Sequence, residues 1–447
     1  MAKKKRVVAP PTPIEKLISP FQKFANLEAS GGLLLIASTL LALIWANSPL
    51  GKSYEDLWHL EMGLQVGSYG ISMSLSHWIN DGIMAVFFFV VGLEIKREVG
   101  TGELNSIRKA ALPLFGALGG MIVPAAIYFL VNRDGIGASG WGIPMATDIA
   151  FALGVLALLG RRIPLTVKVF LTALAIIDDI GAVLVIAIFY SGQIFWAALG
   201  VAALTLAVLF LANRLGVRSS LVYLILGMAL WLALYKSGIH ATLAGILVAM
   251  TIPSRPRINS NEFLSHGRQF LNEYERANTE DVGLNETQES TLQALETAID
   301  HTESVLHRME YGLHPWVTYF IIPLFALANA GVHLGEGLAA AITHPIGIGI
   351  LGGLALGKPL GIIAFTWLAV KAKLAQLPER VTWRHLIGAG MLAGIGFTMS
   401  LFITALAFAD VESQNIAKVG ILLASLVAGL AGYAMLFTAP QTESATD

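Results

Sequence analysis

The chain has no cysteine in 447 residues, which excludes disulfides, thiolate metal sites and cysteine nucleophiles. Charge is also scarce, at 13% of residues against about a quarter in a soluble domain. The net charge of −1 gives no whole-protein attraction to nucleic acid, and the basic cluster Lys3 to Arg6 is only four residues long. That cluster reads as a cytoplasmic anchor within the segment 1–30, with a targeting signal as the other reading. What the chain has in excess is apolar: 55% of residues are hydrophobic and the mean hydropathy is +0.68. A helix crossing the hydrocarbon core needs about 20 residues, so repeated crossings use up the length and leave no room for a second large soluble domain.

Apolar runs fall at 31–47, 78–95, 109–131, 141–160, 166–190, 194–213, 221–236, 239–253, 316–334, 345–370, 385–408 and 416–437. The first is followed by many others, as in a spanning helix rather than a cleaved signal peptide. Backbone groups in lipid must be satisfied within the segment, and runs of this length suit helices rather than barrel strands of about ten alternating residues. The expectation is an all-α polytopic membrane protein with twelve transmembrane helices. Lys and Arg then sort by side: 24 fall before the first span and in the even-numbered loops, and four (Lys52, Arg133, Lys236, Lys418) fall opposite. By the positive-inside rule both termini are cytoplasmic. Domain boundaries follow: 1–30 N-terminal segment, 31–253 helices 1–8, 254–313 cytoplasmic insert, 314–437 helices 9–12, and 438–447 tail.

Two connections stand out. Residues 62–76, GLQVGSYGISMSLSH, alternate Ile71, Met73 and Leu75 with serines after a Gly-rich turn, predicting a small periplasmic β-hairpin whose edge could pair with a second copy. The insert 254–313 carries eleven acids against five bases and places Leu292, Leu295, Ile299, Leu306 and Met309 near helical spacing. It predicts an amphipathic helix with a flexible linker.

Four charges fall inside spans, where each costs about 2.5 to 3.5 kcal/mol on the insertion scale and so needs a reason. Asp178 and Asp179 lie roughly 18 Å into the 166–190 span, near the midplane. Asp148 is in the middle of 141–160 and Lys358 in the middle of 345–370. Adjacent carboxylates repel and are desolvated, so protons compete for them near neutral pH. Sodium, a hard cation, wants the same oxygens. A site that holds protons or Na⁺ but not both is what an exchanger requires; interhelical hydrogen bonding is the other reading, for which one carboxyl would suffice. Lys358 can neutralise one carboxylate, expected to be Asp178, leaving Asp179 as principal cation ligand; a structural salt bridge is compatible with that.

Around Asp148 the sequence GIPMATDIAFALG sets Pro144 ahead of Thr147 and Asp148, natural N-cap residues for a restarted helix. The span 385–408 contains AGMLAGIGFTMS, with Gly390, Gly394 and Gly396 at its centre. Each interrupted span is the middle of a three-helix group, 109–190 and 345–437, which points to inverted-topology repeats with two broken helices and a midplane ion site. Glycine-mediated helix packing is the alternative for the second. The GxGxxG at Gly347, Gly349 and Gly352 lies in an apolar span with no strand before it, so no dinucleotide loop, and no cofactor, is expected.

Ordered blocks over nearly the whole chain resemble the NhaA-type Na⁺/H⁺ antiporters of bacteria. They include ASGG at 29–32, WINDG and VGLEIKRE at 78–98, GGMIVPA at 119–125, ATDIAFALGVLALLG at 146–160, LAIIDDIGA at 174–182, KSGIHATLAG at 236–245, LHPWV at 313–317, LFALANAGV at 324–332, GKPLGI at 357–362 and GIGFTMSLFI at 394–403. The rule linking interrupted spans to a midplane site was drawn in part from this family. The resemblance implies electrogenic export of Na⁺ or Li⁺ driven by inward protons, a twelve-helix bundle with broken, crossed helices in the bacterial inner membrane, and a homodimer joined by the outer hairpin. It also implies that Thr147 and Asp148 balance the positive half-helix ends and Lys358 the negative ones. Two features depart from the family: the insert is several tens of residues longer, and Tyr311 stands where some members have histidine.

For pH control, Glu94, Lys96, Arg97 and Glu98 lie at the cytoplasmic end of the second span, and the resemblance places Glu310 near them. They read either as snorkelling charges or as a cluster that tunes when the Asp pair releases its protons. His240 has the intrinsic range of a pH sensor, or is a packed, hydrogen-bonded histidine. The expected partners are Na⁺, Li⁺, H⁺ and membrane lipid. A cation-coupled symporter of a small organic solute is the alternative; it would need a larger polar cavity than the few polar groups in the spans suggest.

Overall fold

Each of the twelve apolar runs is helical over most of its length in the computed structural model, which describes residues 30–66, 69–277, 285–378 and 381–440. The Lys3 to Arg6 cluster and nearly all of the expected 1–30 segment lie outside the described residues, as does 441–447. Helix is the outcome because backbone N–H and C=O groups have no water to bond in an apolar run. Among the described residues, eight helices are long and apolar enough to cross a membrane: Leu75–Gly100, Arg108–Val131, Leu165–Phe189, Trp196–Arg214, Ser220–Ser237, Val305–Asn329, Pro345–Lys371 and Val411–Phe437. Three bent pairs raise the number to eleven if each is one span. Leu243–Thr251, within the run 239–253, has nine residues and is about 13.5 Å long, short of a crossing by itself. Trp196–Arg214 buries only 11% of its most apolar window, as a helix with lipid around it does.

The described chain divides into two compact units. In the first, Ser30–Ala46 packs on Ile322–Asn329 and Ile149–Leu158, and Val411–Phe437 packs along Pro345–Leu351 and Trp383–Ala393. Backbones come into contact where Gly119 meets Gly361: a Cβ on either would stand 2.1 Å from the other's carbonyl oxygen, so only glycine permits the approach. Ser30–Ala46 turns by 111° into Gly51–His59, a polar helix that apolar runs could not reveal.

In the second unit Leu243–Thr251 packs on Met84–Gly100, and Trp196–Arg214 on Ser220–Ser237. Its core gathers Leu93, Leu209, Tyr223, Leu230, Val248 and Leu306. Strands Glu61–Val66 and Tyr69–Ser74 pair antiparallel with Met62 opposite Met73. Leu75, expected to continue the alternation, instead opens a helix because the Ser74 hydroxyl caps it, accepting from the His77 N–H. The insert holds two helices rather than one, Ser260–Arg276 and Glu286–Thr302, each started by an asparagine capping box at Asn259 and Asn285. Leu292 and Ile299 are exposed, whereas Leu306 is buried in the unit's core with Met309 packed against it. The helix carrying LHPWV accordingly begins at Val305.

Candidate functional site

Two helix breaks build the site, each from local sequence. In the first, a 3-10 stretch Ile136–Met145 ends beyond Pro144, Ala146 is extended, and Asp148 caps the helix Ile149–Leu158, the halves meeting at 44°. In the second, Trp383–Ala393 stops at Gly394 and Phe397–Ala407 starts after Gly396, with a 41° bend. A Cβ on Gly394 would fall 2.5 Å from the Leu354 carbonyl oxygen, so the turn has room for hydrogen alone. Gly390 lies inside the preceding helix, not in the break.

The breaks are tied to one another. The Asp148 N–H donates to the Ile395 carbonyl at 2.7 Å, and the Ser400 hydroxyl donates to the Ile143 carbonyl at 2.8 Å. Asp148 Oδ1 accepts from the Phe151 N–H at 2.9 Å; Oδ2 accepts from the Thr398 N–H at 3.0 Å and the Thr398 hydroxyl at 2.7 Å. One carboxylate thereby caps the first turns of two half-helices, where unpaired N–H groups and the positive dipole ends concentrate.

Lys358 and Asp178 lie beside this junction, both side chains fully buried, with Nζ 2.8 Å from Oδ2. Lys358 follows a π-helical turn, Gly352–Gly357, and its ammonium also donates to the Met145 carbonyl at the end of the 3-10 stretch. The Thr147 hydroxyl is 2.7 Å from Asp178 Oδ2 and 3.0 Å from the Ala393 carbonyl, so its one proton is shared between two acceptors. Asp178 Oδ1 is buried with no hydrogen-bond partner among the described residues. Asp179 follows on the same helix and is buried, 3% exposed. Removing an ion from water costs several kcal/mol even after relaxation, so a paired charge with an unfilled oxygen here is an expensive arrangement for packing alone.

A family model for Na⁺/H⁺ antiporter 1 matches residues 22–436. The chain belongs to this antiporter family. It is 50% identical over 425 residues to the Na⁺/H⁺ antiporter NhaA of Koribacter versatilis, covering 95% of this chain and 92% of the relative. It is 49% identical over 430 residues to that of Oleidesulfovibrio alaskensis, covering 96% of each, and 49% identical over 428 residues to NhaA 2 of Syntrophotalea carbinolica, covering 95% and 98%.

This antiporter-family chain has a second charged constellation, in its other unit. Arg97 lies 2.5 Å from Glu310 Oε1, 3.0 Å from Glu98 and 3.8 Å from Glu94. Glu310 Oε2 is buried with no hydrogen-bond partner among the described residues. Lys96 does not join them: its ammonium donates to the Met250 and Ile252 carbonyls, both at 2.6 Å, at the end of Leu243–Thr251. His240 Nε2 donates to the Tyr190 carbonyl at 2.6 Å, the geometry of a packed histidine. The groups missed by the sequence reading are Thr398 and Ser400. Their signal was a pair of hydroxyls just after a glycine break, where a new helix exposes N–H groups that need an anion.

Proposed function

We propose that this chain is a secondary active transporter of the bacterial inner membrane that exports Na⁺, or Li⁺, in exchange for inward protons, electrogenically and with pH-dependent activity. It is a transporter and not an enzyme. The observation that carries the reading is Asp178, a buried carboxylate with one oxygen held by Lys358 and Thr147 and the other unfilled, beside two tied helix breaks. Asp178 and Asp179 are the alternating proton and cation site, with Asp179 the principal cation ligand. Na⁺ takes oxygen ligands, and hydroxyl and carbonyl oxygens of the opened helices complete a shell that two carboxylates leave unfinished. When the cation leaves, protons neutralise the pair, so each blocks the other.

In this reading Asp148 and Thr147 compensate the positive half-helix ends and Lys358 the negative ones, so that two crossed, broken helices persist at the midplane of twelve spans arranged as inverted repeats. Both termini and the insert face the cytoplasm. The two-stranded hairpin, which has no third strand among the described residues, joins a homodimer through its edge at the periplasmic face. Glu94, Arg97, Glu98 and Glu310 set the local potential that times proton release; Lys96 is a helix cap rather than a member of that cluster.

The test is proton flux in proteoliposomes when Na⁺ is added. Wild type is expected to move protons against Na⁺, while Asp179→Asn abolishes exchange and Asp178→Asn is nearly as damaging. Undiminished Na⁺-dependent flux in Asp179→Asn removes the assignment, and flux that appears only with an organic solute makes the protein a symporter.

A further inference from the structure

The insert carries eleven acids against five bases, yet its charges are sorted in space. A cavity of about 660 Å³ in the second unit is lined by Arg218, Arg257, Arg308, His301 and Thr297, with Glu303 the one acid on its wall among the described residues. A smaller cavity of about 280 Å³ shares Arg218 with it and adds Lys96 and Arg255. Among the described residues, three of the insert's bases, Arg255, Arg257 and Arg308, line these cavities, with Glu303 the one insert acid beside them. Segregation of that kind is not what a solvated acidic surface produces.

Backbone carbonyls orient two of these guanidiniums. Arg218 donates to the Arg255 carbonyl at 3.1 Å, and Arg308 to the Arg218 carbonyl at 3.3 Å. The Arg257 N–H is pinned to the His301 carbonyl at 2.9 Å, while its guanidinium donates to His301 Nε2 at 3.4 Å. Among the described residues neither Arg218 nor Arg257 makes an ion pair. A guanidinium has five N–H donors in a fixed fork, and one bond to a carbonyl orients it while leaving donors for an anion. The volume is that of a small-molecule site.

We infer that this cavity is a binding site for a phosphate-bearing anion, gripped by Arg218 from the loop between Trp196–Arg214 and Ser220–Ser237 and by Arg257 and His301 from the insert. The inference does not rest on the exchange reading, since none of these residues belongs to the Asp178 site. Its ligand chemistry is a phosphate group with two or more anionic oxygens, supplied either by a soluble phosphorylated compound or by a lipid headgroup. Binding ties the insert helix Glu286–Thr302 and the segment ahead of Ser260 to the turn that follows Trp196–Arg214.

The purified full-length protein in detergent tests it by its melting temperature in potassium pyrophosphate, against potassium chloride at the same ionic strength. A parallel arm compares phosphatidylcholine nanodiscs with and without phosphatidylglycerol. A saturable rise with pyrophosphate identifies a soluble ligand, and a rise only with phosphatidylglycerol identifies a headgroup. In either arm Arg257→Ala weakens binding about tenfold, Arg257→Lys weakens it less, and Arg268→Ala, an insert arginine outside the cavity, binds as wild type. No saturable change in either arm, or the same change in Arg257→Ala as in wild type, overturns the site.

Discussion

At the helix breaks Asp148 and Lys358 answer to backbone: Asp148 to the N–H groups of Phe151 and Thr398, and Lys358 to the Met145 carbonyl as well as to Asp178. At the end of Met84–Gly100 the charges answer to one another, with Arg97 set among Glu94, Glu98 and Glu310. Backbone partners cannot be titrated away, so the first arrangement fixes geometry. Side-chain partners can be, and Arg97, 35% exposed, remains within reach of water, so the second can rearrange at modest cost. A rigid ion site and a tunable potential call for these two kinds of compensation respectively.

The largest effect expected from breaking this contrast is at Lys358. Lys358→Ala leaves Asp178 buried without its cation and the Met145 carbonyl without a donor, a loss on the order of 3–5 kcal/mol. Melting in detergent should fall steeply, while Lys358→Arg keeps folding and exchange with a shifted pH profile. An alanine variant that melts and transports as wild type would show that the pair does not hold the junction.

Next is the tie between the breaks. Thr398→Val removes the hydroxyl from Asp148 Oδ2 and keeps the backbone N–H, so it costs about 1.5–3 kcal/mol, the range for a hydrogen bond to a charged group. Ser400→Ala, which removes a neutral bond to the Ile143 carbonyl, costs about 1 kcal/mol. Equal losses in the two melting curves would mean that the charge on Asp148 adds nothing.

In the second region stability should move little and pH dependence more. Glu98→Gln or Glu310→Gln removes a negative charge, makes the local potential more positive, and lets nearby carboxyls release protons at lower pH. The pH at which exchange switches on should fall by a fraction of a unit or more, with maximal flux retained. A profile unchanged by both substitutions places control in the Asp pair alone.

The sequence exposed most of this because lipid makes charge conspicuous. Asp148, Asp178, Asp179 and Lys358 stood out as costs with no solvent to defray them, and Pro144 and the Gly394 to Gly396 stretch marked the breaks. What it hid was partnership. Thr398 and Ser400 are ordinary hydroxyls until the other break is brought beside them, and Lys96 is indistinguishable from Arg97 until the carbonyl ends of Leu243–Thr251 claim it. The first insert helix, Ser260–Arg276, was hidden for a different reason: its start is an Asn259 capping box, a local signal outside the apolar spacing of Leu292, Leu295 and Ile299, which marks only Glu286–Thr302.

The smallest effect tests whether burial or capping geometry makes Asp148 special. Asp410 caps Val411–Phe437 as Asp148 caps its own helix, accepting the Ser413 N–H at 2.7 Å, but at the aqueous end of a span. Asp410→Ala should cost about 1 kcal/mol, the ordinary value of an N-cap. The Ser413 hydroxyl and N–H hold the Asp410 carboxyl below the usual carboxylate range. A group depressed in the folded state stabilises at pH above its unfolded value, and that contribution disappears as pH falls through the folded one. The melting difference between wild type and Asp410→Ala should therefore be constant near neutral pH and shrink in acid. If it stays constant into acid, the cap acts through hydrogen-bond shape rather than charge, and the distinction between Asp410 and Asp148 rests on burial alone.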